Sequence, residues 1–173
     1  DIHILFGLHH LAGPHMDMFM TWFTTMINTI WLWAILAAGG LWKRQSRWVT
    51  ISIIVAVFLA ILVGDVAIKH IVMRIRPYLV IPDAPTLATL KYPISYSFPS
   101  GHSFFFFAGA TVLFRFHRRL GMAAYGLACV VAFSRMYLFM HFPSDVFTGA
   151  VLGILIGNIA WKMCRYAKNR LSY

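Results

Sequence analysis

The sequence predicts an all-α integral membrane protein, and three observations lead to that fold class. Of its 173 residues 60% are apolar, with a mean hydropathy of +0.73, well above the roughly 45–50% apolar usage of soluble domains. Only 12% are charged, glutamate is absent, and the five acids are Asp1, Asp17, Asp65, Asp83 and Asp145, too few charges to cover a soluble domain of this size. Apolar stretches recur at 16–41, 48–68, 101–117, 120–138 and 145–163, near the length of about 20 residues that a bilayer crossing needs. Disorder, a collagen-like fibre and a coiled coil are excluded by the same composition.

The expected architecture is one membrane-embedded domain over 1–173, a bundle of about five spans preceded by an interfacial helix. Segment 1–13 is too short to cross and carries His3, His9 and His10, hence its assignment to the interface. Without a basic stretch ahead of its apolar residues it does not read as a signal peptide. Through their depth the spans offer few polar groups beyond Thr24, Thr25, Asn28 and Asp65. The third is the shortest and opens on four phenylalanines, Phe104 to Phe107. In the last span Gly149, Gly153 and Gly157 repeat every four residues, a small-residue stripe that either packs within the chain or joins two copies as a homodimer. Cys129 and Cys164 support neither a disulfide framework nor a cysteine-based metal site. His9, His10 and His15 lack cysteine or acidic partners nearby and read as solvated side chains rather than metal ligands.

A net charge of +10 would suggest nucleic acid in a soluble protein, but its distribution is a topology signal. Lys43, Arg44 and Arg47, then Arg115, Arg118 and Arg119, then Lys162, Arg165, Lys168 and Arg170 fall on alternate connections. The positive-inside rule places these on the cytoplasmic side together with the C-terminus. Lys69, Arg74, Arg76, Lys91 and Arg135 remain outside, where basic residues call for a binding partner, and an anion is the natural one. The outer connections also hold the prolines of the long 77–100 loop and Pro143.

Three outer segments carry chemistry. In the first, Lys69 to Pro77, the seven-residue separation of Lys69 and Arg76 predicts two cations on one helix face gripping one anion; a basic flank snorkelling to headgroups is the plainer reading. Pro77 disfavours helix at Arg76. Asp65, one turn before Lys69, either orients the lysine or lowers its burial cost as an ion pair. The second segment is Pro99-Ser100-Gly101-His102. Ser100 stands as an N-cap before a helix whose free N–H groups suit phosphate, Gly101 admits close approach, and His102 brings a titratable proton. In the third, Ser134-Arg135 precedes His141 and Asp145, and the i,i+4 spacing lets a carboxylate orient an imidazole and raise its nucleophilicity. The plainer reading there is helix capping.

Taken together, K-x6-R-P at Lys69 to Pro77, P-S-G-H at Pro99 to His102 and S-R-x5-H-x3-D at Ser134 to Asp145 resemble the three motifs of the type 2 phosphatidic acid phosphatase (PAP2) superfamily, over about residues 60–160. The resemblance implies a PAP2-like helical core and a phosphatase that needs neither metal nor other cofactor and works through a phosphohistidine. By that resemblance His141 attacks phosphorus, Asp145 orients it, and His102 protonates the leaving group and then activates water. Lys69, Arg76, Arg135, Ser100 and the Gly101 N–H would hold the phosphoryl oxygens. Arg74 and Lys91 fall outside the motif positions, and one of them is expected to contact a second phosphate or a headgroup. Two histidines acting as a coupled pair predict a bell-shaped pH–rate profile.

The expected substrate is a lipid phosphate or diphosphate at the outer leaflet of the cell membrane. The small size resembles compact bacterial undecaprenyl-diphosphate phosphatases; phosphatidylglycerophosphate, phosphatidate and lipid A phosphatases are the alternatives within the class. A different class, an anion or lipid transporter with His141 and Asp145 relaying protons, would need polar residues through the depth of the spans. Membrane lipids, not nucleic acid, are the expected surroundings.

Overall fold

The computed structural model describes residues 1–27, 47–82, 84–85 and 94–171. Its elements are α1 (Ile2–His9), α2 (Pro14–Met26), α3 (Arg47–Ala60), a π-helical segment (Ile61–Ile68), α4 (Lys69–Val72), α5 (Pro77–Val80), α6 (Gly101–Phe116), α7 (Arg118–Tyr137) and α8 (Pro143–Leu171). No strand occurs among the described residues.

Helix α6 is the hub, packed against α3, α7 and α8. It can be central because small residues let its neighbours approach. An added Cβ would lie 2.6 Å from the Ser100 carbonyl oxygen at Gly149, 2.5 Å from that of Phe104 at Gly153, and 2.5 Å from that of Ala108 at Gly157. The glycine stripe of α8 therefore packs inside the chain, against α6. Ala56, Ala108, Ala128 and Ala160 fill the same core with Ile53, Phe106, Val112 and Val131.

Among the described residues three helical stretches are long and apolar enough to cross a membrane: Arg47–Val80, Arg118–Tyr137 and Pro143–Leu171. With 16 residues, α6 is about 24 Å long at 1.5 Å per residue, short of a hydrocarbon core of about 30 Å. The first expected span, 16–41, continues beyond Ile27 outside the described residues, so the count of five is not established. The segment expected at the interface is a helix docked by Leu5, which is fully buried with Ile81, Phe139 and Phe142. His9 packs edge-on against the Phe139 ring, and Asp17 on α2 accepts a hydrogen bond from the Tyr137 hydroxyl on α7.

One expectation fails locally. Lys69 and Arg76 do not share a helix face: α4 stops at Val72, Met73 adopts a left-handed conformation with φ 49°, and Arg76 is extended at φ −76°, ψ 151°. Pro77 is the physical reason, since its ring excludes helix at the preceding residue, and it starts α5 instead. Both cations nevertheless reach the same cavity.

Candidate functional site

At one end of the bundle, where α4, α6 and the α7–α8 connection meet, lies a cavity of about 170 Å³. Lys69, Arg76, Gly101, His102, Arg135 and His141 line it, all predicted from the sequence, and Asp65, Ser95, Phe105 and Met140 complete the wall. Asp145 and Ser100 stand behind that wall. The Ser100 hydroxyl caps α6, accepting from the Ser103 N–H at 3.5 Å and the Ser103 hydroxyl at 3.1 Å. Its own N–H donates to the Asp145 carbonyl at 3.1 Å, tying α6 to α8. An added Cβ at Gly101 would lie 3.3 Å from the Asp65 carboxylate, so glycine keeps the first turn of α6 open to the cavity.

The orientation of His141 follows from its partners. Nδ1 lies 2.7 Å from the Ser97 carbonyl oxygen, which can only accept, so Nδ1 carries the proton. Nε2 is then the lone-pair nitrogen, 3.1 Å from Arg76 Nη1 as donor. The ring is 3% exposed. Burial holds its pKa below the usual 6.5, at about 4; Arg76 and Arg135 push the same way, and Asp145 opposes them.

Asp145 acts on this histidine less directly than the motif spacing suggests. Its Oδ2 is 3.8 Å from Nδ1, beyond hydrogen-bond reach, and accepts instead from the Ser97 hydroxyl at 2.5 Å and the Phe142 N–H at 2.9 Å. The latter contact, from the third helical residue back to the N-cap, is half of a capping box. Oδ1 accepts from Arg74 Nη1 at 2.6 Å. Ser97 thus links the carboxylate to the imidazole, one group by its hydroxyl and the other by its carbonyl.

Arg74 is committed to this network: it also donates to Ser144 Oγ at 2.7 Å and Asp1 Oδ2 at 3.0 Å, and lies 4.0 Å over the Phe142 ring. It is not among the residues that line the cavity. Lys91, the other residue considered for a second phosphate or a headgroup, lies outside the described residues.

The cations differ in how fully they are occupied. Arg76 is braced by the Ser95 carbonyl and hydroxyl at 2.6 and 2.9 Å and by the Met140 carbonyl at 2.9 Å. Lys69 pairs with Asp65 one turn before it. Arg135, 4% exposed, spends Nη2 on Thr24 Oγ1 at 3.2 Å and Nη1 on the Met140 sulfur at 3.6 Å, while its buried Nε finds no acceptor among the described residues. A buried guanidinium N–H without a partner is costly, and here it borders a cavity large enough for an oxyanion.

Sequence reasoning missed Ser95, Ser97 and the contacts of Arg74 with Asp145, Ser144 and Asp1. The signal for the serines was their i,i+2 spacing just ahead of Pro99, which puts both side chains on one side of an extended segment. For Arg74 only its place two residues before Arg76 was visible.

Comparison with known proteins agrees with this geometry. An undecaprenyl-diphosphatase of Sulfolobus acidocaldarius is 30% identical over 124 residues, 71% of this chain. The chain spans only a little over half the length of that relative, 59%. A lipid A 4'-phosphatase of Porphyromonas gingivalis is 26% identical over 94% of this chain and 72% of its own length. The crystal structure of Aquifex aeolicus LpxE superposes with a TM-score of 0.79 at 26% identity, covering 94% of both chains. Residues 48–169, which contain all three motifs, match the PAP2 superfamily, and this membrane protein therefore belongs to it.

Proposed function

We propose that the chain is a lipid phosphatase that transfers a terminal phosphoryl group to His141 and then to water. The observation that supports this most is the pairing of a buried imidazole, its Nε2 lone pair at the cavity, with Lys69, Arg76 and Arg135 around the same space and one guanidinium N–H still lacking an acceptor. Phosphoryl transfer asks mainly for positioning and charge stabilisation, and fixed cations beside a low-dielectric interior supply both.

In the first step His141 Nε2 attacks phosphorus, a P–N bond forms and the P–O bond to the lipid breaks. Protonated His102 gives its proton to the departing oxygen. In the second step neutral His102 takes a proton from water, whose oxygen attacks phosphorus and breaks the P–N bond, releasing inorganic phosphate. Arg76 Nη1 must exchange its contact with Nε2 for a phosphoryl oxygen as the substrate arrives. The Ser97 carbonyl holds the Nδ1 proton and stabilises the charge that develops on the ring.

For substrate we favour undecaprenyl diphosphate, hydrolysed to the monophosphate at the outer leaflet, because the Sulfolobus relative carries that activity in its name. The name of the Porphyromonas relative makes a lipid A phosphate the second choice, with phosphatidylglycerophosphate and phosphatidate after it. The site is assigned to the outer side, with the C-terminus cytoplasmic, by the charge distribution alone. The test is phosphate release by detergent-purified protein from these four lipids in the presence of a chelator, with His141→Ala as the blank. Release by the wild type alone supports the proposal, and release by both overturns it.

A further inference from the structure

The end of the bundle opposite the candidate site holds a larger cavity, of about 260 Å³. Trp48 at the start of α3, Arg115 at the end of α6, and Trp161, Cys164, Arg165 and Lys168 on the last turns of α8 line it. Two guanidinium groups converge on one indole: Arg115 lies 5.0 Å and Arg165 5.3 Å from the Trp161 ring centroid. Arg115 is fixed further by donating from Nε to Asn158 Oδ1 at 2.8 Å.

Arginines stay charged at any accessible pH, so the two exposed guanidinium groups held on one ring repel one another, and an anion between them relieves that repulsion. None of the four described aspartates can serve. Asp1 and Asp145 are tied to Arg74, Asp65 to Lys69 and Asp17 to Tyr137, all at the other end. The positive-inside rule explains why basic residues collect at this end. It does not explain why two are anchored around a common cavity floored by tryptophan. Half-buried indoles are characteristic of headgroup depth, guanidinium groups match phosphate geometry, and basic pockets between membrane helices receive anionic headgroups.

We infer that this cavity is a second anion site, separate from the candidate active site, that binds a phosphate group, supplied by an anionic phospholipid of the adjoining leaflet or by a soluble phosphate. Arg115 and Arg165 take the phosphate oxygens and the indoles of Trp48 and Trp161 flank the lipid backbone.

The test is thermal unfolding in neutral detergent at increasing mole fractions of phosphatidylglycerol or phosphatidylcholine, and with inorganic phosphate added to phosphatidylcholine. Wild type is compared with Arg115→Gln/Arg165→Gln, so that binding at the candidate active site cancels. The expected result is stabilisation by phosphatidylglycerol but not phosphatidylcholine, with the midpoint weakened on the order of tenfold or more in the double variant. If inorganic phosphate stabilises through the same two arginines as strongly as the lipid does, the site stands and its ligand is the soluble anion. Equal phosphatidylglycerol midpoints in wild type and double variant overturn the site. Should the double variant not fold, quenching of Trp161 emission by brominated lipids in the wild type, assigned by difference from Trp161→Phe, decides instead. Stronger quenching by the phosphatidylglycerol form supports the site, and equal quenching by the phosphatidylcholine form refutes it.

Discussion

The burial of His141 has a consequence for stability that can be worked through. In the folded chain its pKa is lowered from 6.5 to about 4, whereas the unfolded chain titrates near the ordinary value. Above pH 6.5 both states hold the ring neutral and the folded form keeps its full stability. As pH falls the unfolded state takes up a proton that the folded state refuses, so stability is lost from 6.5 down to about 4. At 1.36 kcal/mol per pH unit the whole loss is about 3 kcal/mol, with about 2 kcal/mol of it gone by pH 5. His141→Gln removes this proton uptake and leaves the other histidines to contribute equally to both proteins. Unfolding temperatures of wild type and variant, measured in detergent from pH 8 to 4.5, should converge by about 4–8 °C between pH 7 and 5, at roughly 2–4 °C per kcal/mol for a chain of this size. Parallel curves would refute the buried neutral imidazole. The same value means that His141 is already unprotonated at neutral pH. An acid limb near pH 6–7 in the rate profile would therefore belong to another group.

Two further outcomes follow from the packing and the Asp145 network. Arg74→Gln removes the 2.6 Å partner of a carboxylate that is fully buried; with the arginine side chain 30% exposed, the expected loss is about 1–3 kcal/mol. Steady-state kinetics should show kcat falling more than KM, and Arg74→Lys should restore only part of it, because a lysine cannot fork between Asp145 and Asp1; an unchanged kcat would remove Arg74 from the positioning network. Gly153→Ala puts a Cβ 2.5 Å from the Phe104 carbonyl oxygen and should destabilise by about 1–3 kcal/mol. Gly126→Ala, with nothing within 4 Å of its new Cβ, should be neutral or stabilising by up to about 1 kcal/mol, and thermal unfolding of the two side by side checks the α6–α8 contact.

The motif positions were legible because chemistry constrains residue type and spacing together. Lys69, Arg76, Gly101, His102, Arg135 and His141 come from separate segments and meet in one cavity. What spacing could not convey was backbone direction. Seven residues from Lys69 to Arg76 look like two helical turns, but a left-handed Met73 and the constraint of Pro77 replace the second turn with extended chain. The role of Arg74 was hidden because its partners, Asp1, Ser144 and Asp145, are about 70 residues away in either direction. Ser97 acts partly through its carbonyl, a group that every residue carries and no side-chain pattern can mark. The glycine stripe had two physically equivalent uses in the sequence, and the close approach of α6 reveals the one within the chain.

The measurement closest to the central claim is capture of the phosphorylated intermediate. Protein is mixed with a terminally 32P-labelled lipid phosphate, quenched within milliseconds, digested and mapped. The account predicts an acid-labile, alkali-stable label on the peptide bearing His141, attached at Nε2 because Nδ1 is engaged by the Ser97 carbonyl, and no label in His141→Ala. A label on another residue, or turnover by His141→Ala at a rate comparable to wild type, would contradict it.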